Sequence, residues 1–103
     1  MSQLLRVEFT ALAARHVREA EEWWRLNRPA APNAIREEIE QLLPLIALQP
    51  RIGARATNVR LDGVRRIYMR RIKYHLYYHV TGSPEFLEVV ALWHSSRGSG
   101  PPI

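Results

Sequence analysis

The sequence predicts an α+β fold of order β-α-α-β-β-β, a helical hairpin packed on a small, mainly antiparallel sheet. Three observations carry this expectation. Apolar residues recur at helical spacing from Ala13 to Ile46, the period switches to two after Asn58, and Phe86 to Trp93 (FLEVVALW) is an almost unbroken apolar run. A chain of 103 residues, 47% of them hydrophobic, supplies one core. Residues 1–96 are expected to form a single domain, and residues 97–103 (RGSGPPI) a mobile Gly/Pro-rich tail with no core residues of its own.

Leu4 to Phe9 reads as the first strand, and Thr10 after it is a suitable helix N-cap. In the first helix Ala13, Val17, Ala20 and Trp24 fall on one face, with charged residues elsewhere. Trp23 and Trp24 are adjacent, so only one can lie at the centre of that face. The other either anchors a partner or covers the seam between helix and sheet. After the break at Asn27 to Pro32, Ile35, Ile39, Leu42, Leu43 and Ile46 mark the inner face of the second helix. Pro44 interrupts that pattern, and a kink or early stop is expected there. Pro50 and Gly53 end the helical region.

Two half-buried strands follow. Ile67 and Met69 alternate with Arg66, Tyr68 and Arg70, and Tyr74, Leu76, Tyr78 and Val80 alternate with His75, Tyr77 and His79. Thr81 to Pro84 is a turn, and the continuous apolar run after it implies a strand covered on both faces.

The absence of cysteine excludes disulfide scaffolds, thiolate zinc sites and cysteine nucleophiles. His75 and His79 share a strand face but stand roughly 13 Å apart, too far to chelate one ion. No metal site and no cofactor are expected. No apolar run approaches the roughly 18 residues of a membrane span, and Met1 to Glu8 resembles neither a signal peptide nor a lipidation site, so a soluble cytoplasmic protein without membrane contact is expected.

Charge is distributed unevenly. Residues 51–80 carry seven Arg and one Lys against Asp62, while the whole chain carries +5. Such asymmetry suits an anionic partner, nucleic acid or an acidic protein segment, or else reflects codon bias toward arginine. Arg65, Arg66, Arg70, Arg71 and Lys73, with Tyr68 and Tyr77 on the outward faces, are the candidate binding residues. Guanidinium groups beside aromatic rings bind such partners by salt bridges, cation–π contact and stacking; the same residues can also form an ordinary solvated sheet face. Trp23 joins them as a candidate hot spot. His94 and Arg97, just past the last strand, form an H-x-x-R pair that could handle a phosphodiester, with His94 as acid or base and Arg97 holding the phosphate. Otherwise His94 merely closes the strand end.

Taken in order, VEFTALA (Val7 to Ala13), the helical hairpin, P-R-I-G (Pro50 to Gly53), V-R-R (Val64 to Arg66), Y-x-x-x-Y-x-V (Tyr74 to Val80) and H-x-x-R (His94 to Arg97) span the chain. In this order and spacing it resembles the RelE/ParE superfamily of type II toxin-antitoxin toxins. The resemblance implies a hetero-oligomer with a cognate antitoxin, of ribbon-helix-helix type, whose acidic or amphipathic C-terminal segment wraps the toxin. It further implies one of two targets: DNA gyrase for ParE-like members, or mRNA on the ribosome for RelE-like ones. The long hairpin, the single lysine and the HSSRGSGPPI ending are more similar to the ParE, plasmid-stabilisation branch. On that reading the chain inhibits gyrase and no residue is catalytic. The alternative is a ribosome-dependent endoribonuclease using His94 as acid/base, with Arg65, Arg66 or Arg97 on the scissile phosphate. A third reading is an inactive member that only binds antitoxin.

Overall fold

The computed structural model describes residues 4–103. Its elements are β1 (Val7–Phe9), α1 (Ala11–Asn27), α2 (Ala34–Leu48), β2 (Ala54–Arg55), β3 (Arg65–Met69), β4 (Tyr74–Thr81) and β5 (Phe86–His94). The five strands form one sheet in the order β1-β5-β4-β3-β2. β1 runs parallel to β5 and every other pair is antiparallel. The α+β architecture is therefore the one expected, with one short strand added before β3.

Local chemistry accounts for the helix ends. The Thr10 hydroxyl accepts from the Ala13 N–H at 3.0 Å, capping α1. Trp24 packs against the core and Trp23 lies outside it, 45% exposed. The early stop expected as one outcome at Pro44 does not occur, and α2 runs through it to Leu48. Pro44 and Glu40 both sit on the exposed face, where water can serve the carbonyl that loses its amide partner.

β5 is central. Leu87, Val89 and Leu92 face the helices, in one cluster with Ala13, Ala20, Ile35, Ile39, Ile46, Leu76 and Tyr78. The register skips one residue between Tyr77↔Ala91 and Tyr78↔Val89, leaving Val90 as a bulge. Val90 and Ala91 thereby share the opposite face with Val64 and Tyr77 in a second cluster. The bulge is why no alternation shows in FLEVVALW.

That second cluster corrects two expectations. Tyr77 is not on an open face: it is 1% exposed, covered by the segment around Ala56 and Val59. The C-terminal residues are not a coreless tail either. Pro101 is buried, Ile103 packs on the second cluster, and the Ile103 carbonyl accepts from the Arg60 N–H at 2.8 Å. Trp93 Nε1 donates to the Ser99 carbonyl at 2.7 Å, and a Cβ on Gly100 would lie 2.0 Å from the Asn58 carbonyl oxygen.

The exit from α2 is tied to the sheet by one hydroxyl. Tyr78 OH donates to the Pro50 carbonyl at 2.8 Å and accepts from the Gly53 N–H at 3.0 Å. Arg65 Nη1 donates to the Gly53 carbonyl at 2.7 Å. P-R-I-G, V-R-R and the second tyrosine of Y-x-x-x-Y-x-V thus meet at one place. Gly53 is required there because a Cβ would lie 2.6 Å from Tyr78 OH. Tyr78→Phe, which orphans both the Pro50 carbonyl and the Gly53 N–H, is expected to lower stability by about 1–3 kcal/mol, measured as a reduced urea midpoint with unchanged m-value.

Candidate functional site

The five basic candidates of the central segment do not form one face. Arg65 lies on the helix side of β3 and is engaged by Gly53. Arg66 faces the other side, with Nη1 3.4 Å from the Tyr77 hydroxyl, which also receives Asn58 Nδ2 at 3.0 Å. Arg70, Arg71 and Lys73 belong to the β3–β4 turn. There Arg71 bridges Glu37 at 3.0 Å and Glu38 at 3.3 Å of α2. Lys73 adopts a left-handed backbone, φ 63°, and its main chain accepts from the Ser95 N–H. Arg70 and Tyr68 are exposed.

The end of β5 gathers a different set. Trp23, Tyr74, His94, Ser96 and Arg97 line a cleft of about 290 Å³ between α1 and the strand exit. An adjoining hollow of about 260 Å³ adds His16 and Glu19. His94 packs edge-on against Tyr74 with ring centroids 5.0 Å apart. Arg97 stacks on Trp93, its guanidinium carbon 3.9 Å from the ring centroid. Trp23, with Arg28 over its ring at 5.4 Å, forms the outer wall. His16, on α1 and without a motif around it, could not be placed here from sequence.

Both histidines have one nitrogen occupied by a backbone amide. The Ser96 N–H donates to His94 Nδ1 at 3.1 Å, with Ser96 Oγ 2.7 Å from the same atom. The Leu92 N–H donates to His16 Nδ1 at 3.2 Å. An amide N–H can only donate, so in each neutral ring the proton resides on Nε2. Each ring then offers the cleft a donor and not a free basic nitrogen, which suits anion contact better than proton abstraction. Among the described residues no three His, Asp or Glu side chains converge as metal ligands. No helix of the described residues is long and apolar enough to cross a membrane.

A family model described as "ParE toxin of type II toxin-antitoxin system, parDE" matches residues 7–98. The chain thus belongs to the ParE toxin family, within the RelE/ParE superfamily. Among solved structures, the "Chromosomal ParDE TA system from P. aeruginosa" superposes with a TM-score of 0.70 at 17% identity, covering 88% of this chain and 96% of the other. The "YoeB/ParE toxin from Agrobacterium tumefaciens" gives a TM-score of 0.55 at 19% identity, covering 87% and 98%. At these identities the likeness is one of fold. No curated protein matches the sequence.

Burial holds His16 below the usual histidine pKa, with Arg15 and Arg97 adding to the effect and Glu19 opposing it; burial and then Arg66 do the same for His75. Folding therefore favours the neutral rings. Their contribution is fully present above the ordinary value of 6.5 and is lost as pH falls below it toward the folded-state pKa. The urea midpoint is expected to drop between about pH 7.5 and about pH 5. His16→Asn, which keeps an acceptor for the Leu92 N–H but cannot titrate, is expected to make that drop smaller.

Proposed function

We propose that this chain is a non-enzymatic toxin that binds and poisons DNA gyrase and is neutralised by a cognate antitoxin of ribbon-helix-helix type. Its membership of the ParE family supports the target class. The observation that carries the non-enzymatic reading is the occupation of His94 Nδ1 by the Ser96 amide, which leaves the one histidine at the strand exit without a free nitrogen for a general base. The engagement of Arg65 with the Gly53 carbonyl supports it too, since that guanidinium is already used within the fold.

The antitoxin reading rests on surface character. Trp23, Leu26, Leu45, Leu48 and Ile52 are all more than 40% exposed along the two helices and the chain just after them. With the net charge of +5, they suit an amphipathic segment that carries acidic residues, wrapping the toxin in a hetero-oligomer. The relative from P. aeruginosa is itself described as part of a ParDE toxin-antitoxin system.

The test is a supercoiling reaction with purified gyrase and antitoxin-free toxin. Loss of supercoiling with accumulation of cleaved plasmid is expected, and His94→Gln is expected to retain it. Inactivity of folded toxin toward gyrase, together with cleavage of mRNA on translating ribosomes that falls about 100- to 10,000-fold in His94→Gln, would instead establish the endoribonuclease.

A further inference from the structure

The cleft at the exit of β5 sets charges of both signs around one aromatic hollow. His16, Glu19 and Trp23 follow one another at spacings of three and four, so they form a single stripe of α1. Across the cleft stand Tyr74 and His94, paired between β4 and β5, and Arg97 beyond the strand end. Trp23, Tyr74 and Arg97 line both parts of the cleft. His94 and Ser96 complete the part of about 290 Å³, and His16 and Glu19 belong to the part of about 260 Å³.

Glu19 and Arg97 face the same hollow without neutralising each other. Among the described residues neither enters an ion pair. The Arg97 guanidinium rests on the Trp93 ring instead, a contact that holds its position without using its N–H groups. Burial dominates the lowered pKa of His16; behind it Glu19 raises the value while Arg15 and Arg97 lower it, so charges of both signs lie near that ring. With Nδ1 taken by the Leu92 amide, His16 presents its Nε2–H to the same hollow. A carboxylate and a guanidinium held apart at one hollow match a head group that carries both an ammonium and a carboxylate. Glu19 and Arg97 sum to zero charge, as such a head group does, whereas a phosphate would bring about two negative charges to one guanidinium and meet Glu19 as well. Trp23 and Tyr74 continue into the larger part of the cleft and offer their faces to one ring.

We propose that this cleft binds a zwitterionic aromatic amino acid. The carboxylate lies against Arg97 and the His16 Nε2–H, the ammonium against Glu19, and the ring against Trp23 and Tyr74. No covalent step is involved, and the site does not depend on gyrase being the target.

Titration of the isotope-labelled full chain with L-phenylalanine, followed by NMR of its amide and indole N–H groups, tests this. Saturable shifts of the Trp23 indole and of the Glu19 and Arg97 amides are expected. N-acetylphenylalanine, which lacks the ammonium, and phenylalaninamide, which lacks the carboxylate, are each expected to bind at least about 10-fold more weakly. Glu19→Gln, a change at an exposed helix position, is expected to weaken phenylalanine by a similar factor while leaving N-acetylphenylalanine unchanged, and Arg97→Gln to do the same with phenylalaninamide as the indifferent ligand. Absence of saturable shifts up to the solubility of phenylalanine overturns the proposal. So does equal binding of N-acetylphenylalanine or tighter binding of inorganic phosphate, since either makes the cleft a simple anion site. Equal binding of glycine overturns it as well, because the rings are then unused. Circular dichroism verifies the fold of each variant, and the comparison of ligands on the unaltered chain decides the question if a variant fails to fold.

Discussion

β5 must be buried on both faces, and the rest of the molecule is arranged to satisfy that constraint. Its helix side packs on the hairpin through Leu87, Val89 and Leu92. The single bulged residue, Val90, turns the following residues so that Val90 and Ala91 both press on the opposite side. A strand apolar on two faces cannot be left against water, because each exposed aliphatic side chain forfeits about 1.5–3 kcal/mol of burial. The second face is therefore closed by Val64, Tyr77, the segment around Ala56 and Val59, and the C-terminal residues through Ile103. β1 covers one flank of β5 in parallel register, and the His16 ring accepts the Leu92 N–H beyond the reach of that short strand. A helix residue thus completes a hydrogen bond that the sheet lacks.

The same constraint explains the character of the two candidate surfaces. Where the second face is sealed, side chains such as Tyr77 and Asn58 serve one another. Where the seal ends, Tyr68 is exposed and His75 half-buried, their rings 5.0 Å apart, and the Trp93 ring packs on His16 of α1. At the exit of β5, His94, Ser96 and Arg97 fold back on the strand, so that one backbone amide fixes the His94 ring and one aromatic ring carries the Arg97 charge. The cations that looked from their spacing like one patch are divided by strand alternation and by the β3–β4 turn: Arg65 toward the helices, Arg66 away from them, Arg71 out to α2.

Much of the fold was legible in residue order because it rests on periodicity. The helical faces of α1 and α2, the two alternating strands and the turn at Thr81 to Pro84 all follow from spacing and turn chemistry. β2 was not legible, since two residues, Ala54 and Arg55, carry no period; its place is fixed by pairing with Arg66 and Arg65. Pro44 misled because the cost of a helical proline depends on whether the freed carbonyl is buried, which local sequence does not contain. Tyr77 and the C-terminal segment misled for one reason. Alternation tells which residues share a face but not whether another layer of chain lies over it, and Gly/Pro-rich composition hid the anchoring of Pro101 and Ile103. The H-x-x-R pair was visible as a motif, whereas His16, 78 positions before His94, joins that end of the molecule only through the packing of α1 on β5.

Residue-resolved hydrogen exchange tests the double-sided burial of β5 most directly. The amides of Leu87, bonded to the Arg6 carbonyl, and of Leu92, bonded to His16, should exchange only through global opening, with protection free energies equal to the unfolding free energy from urea titration. Protection of those two amides no greater than that of the peripheral pair β2 and β3 would contradict it, and would mean that the layers over β5 open without unfolding the rest.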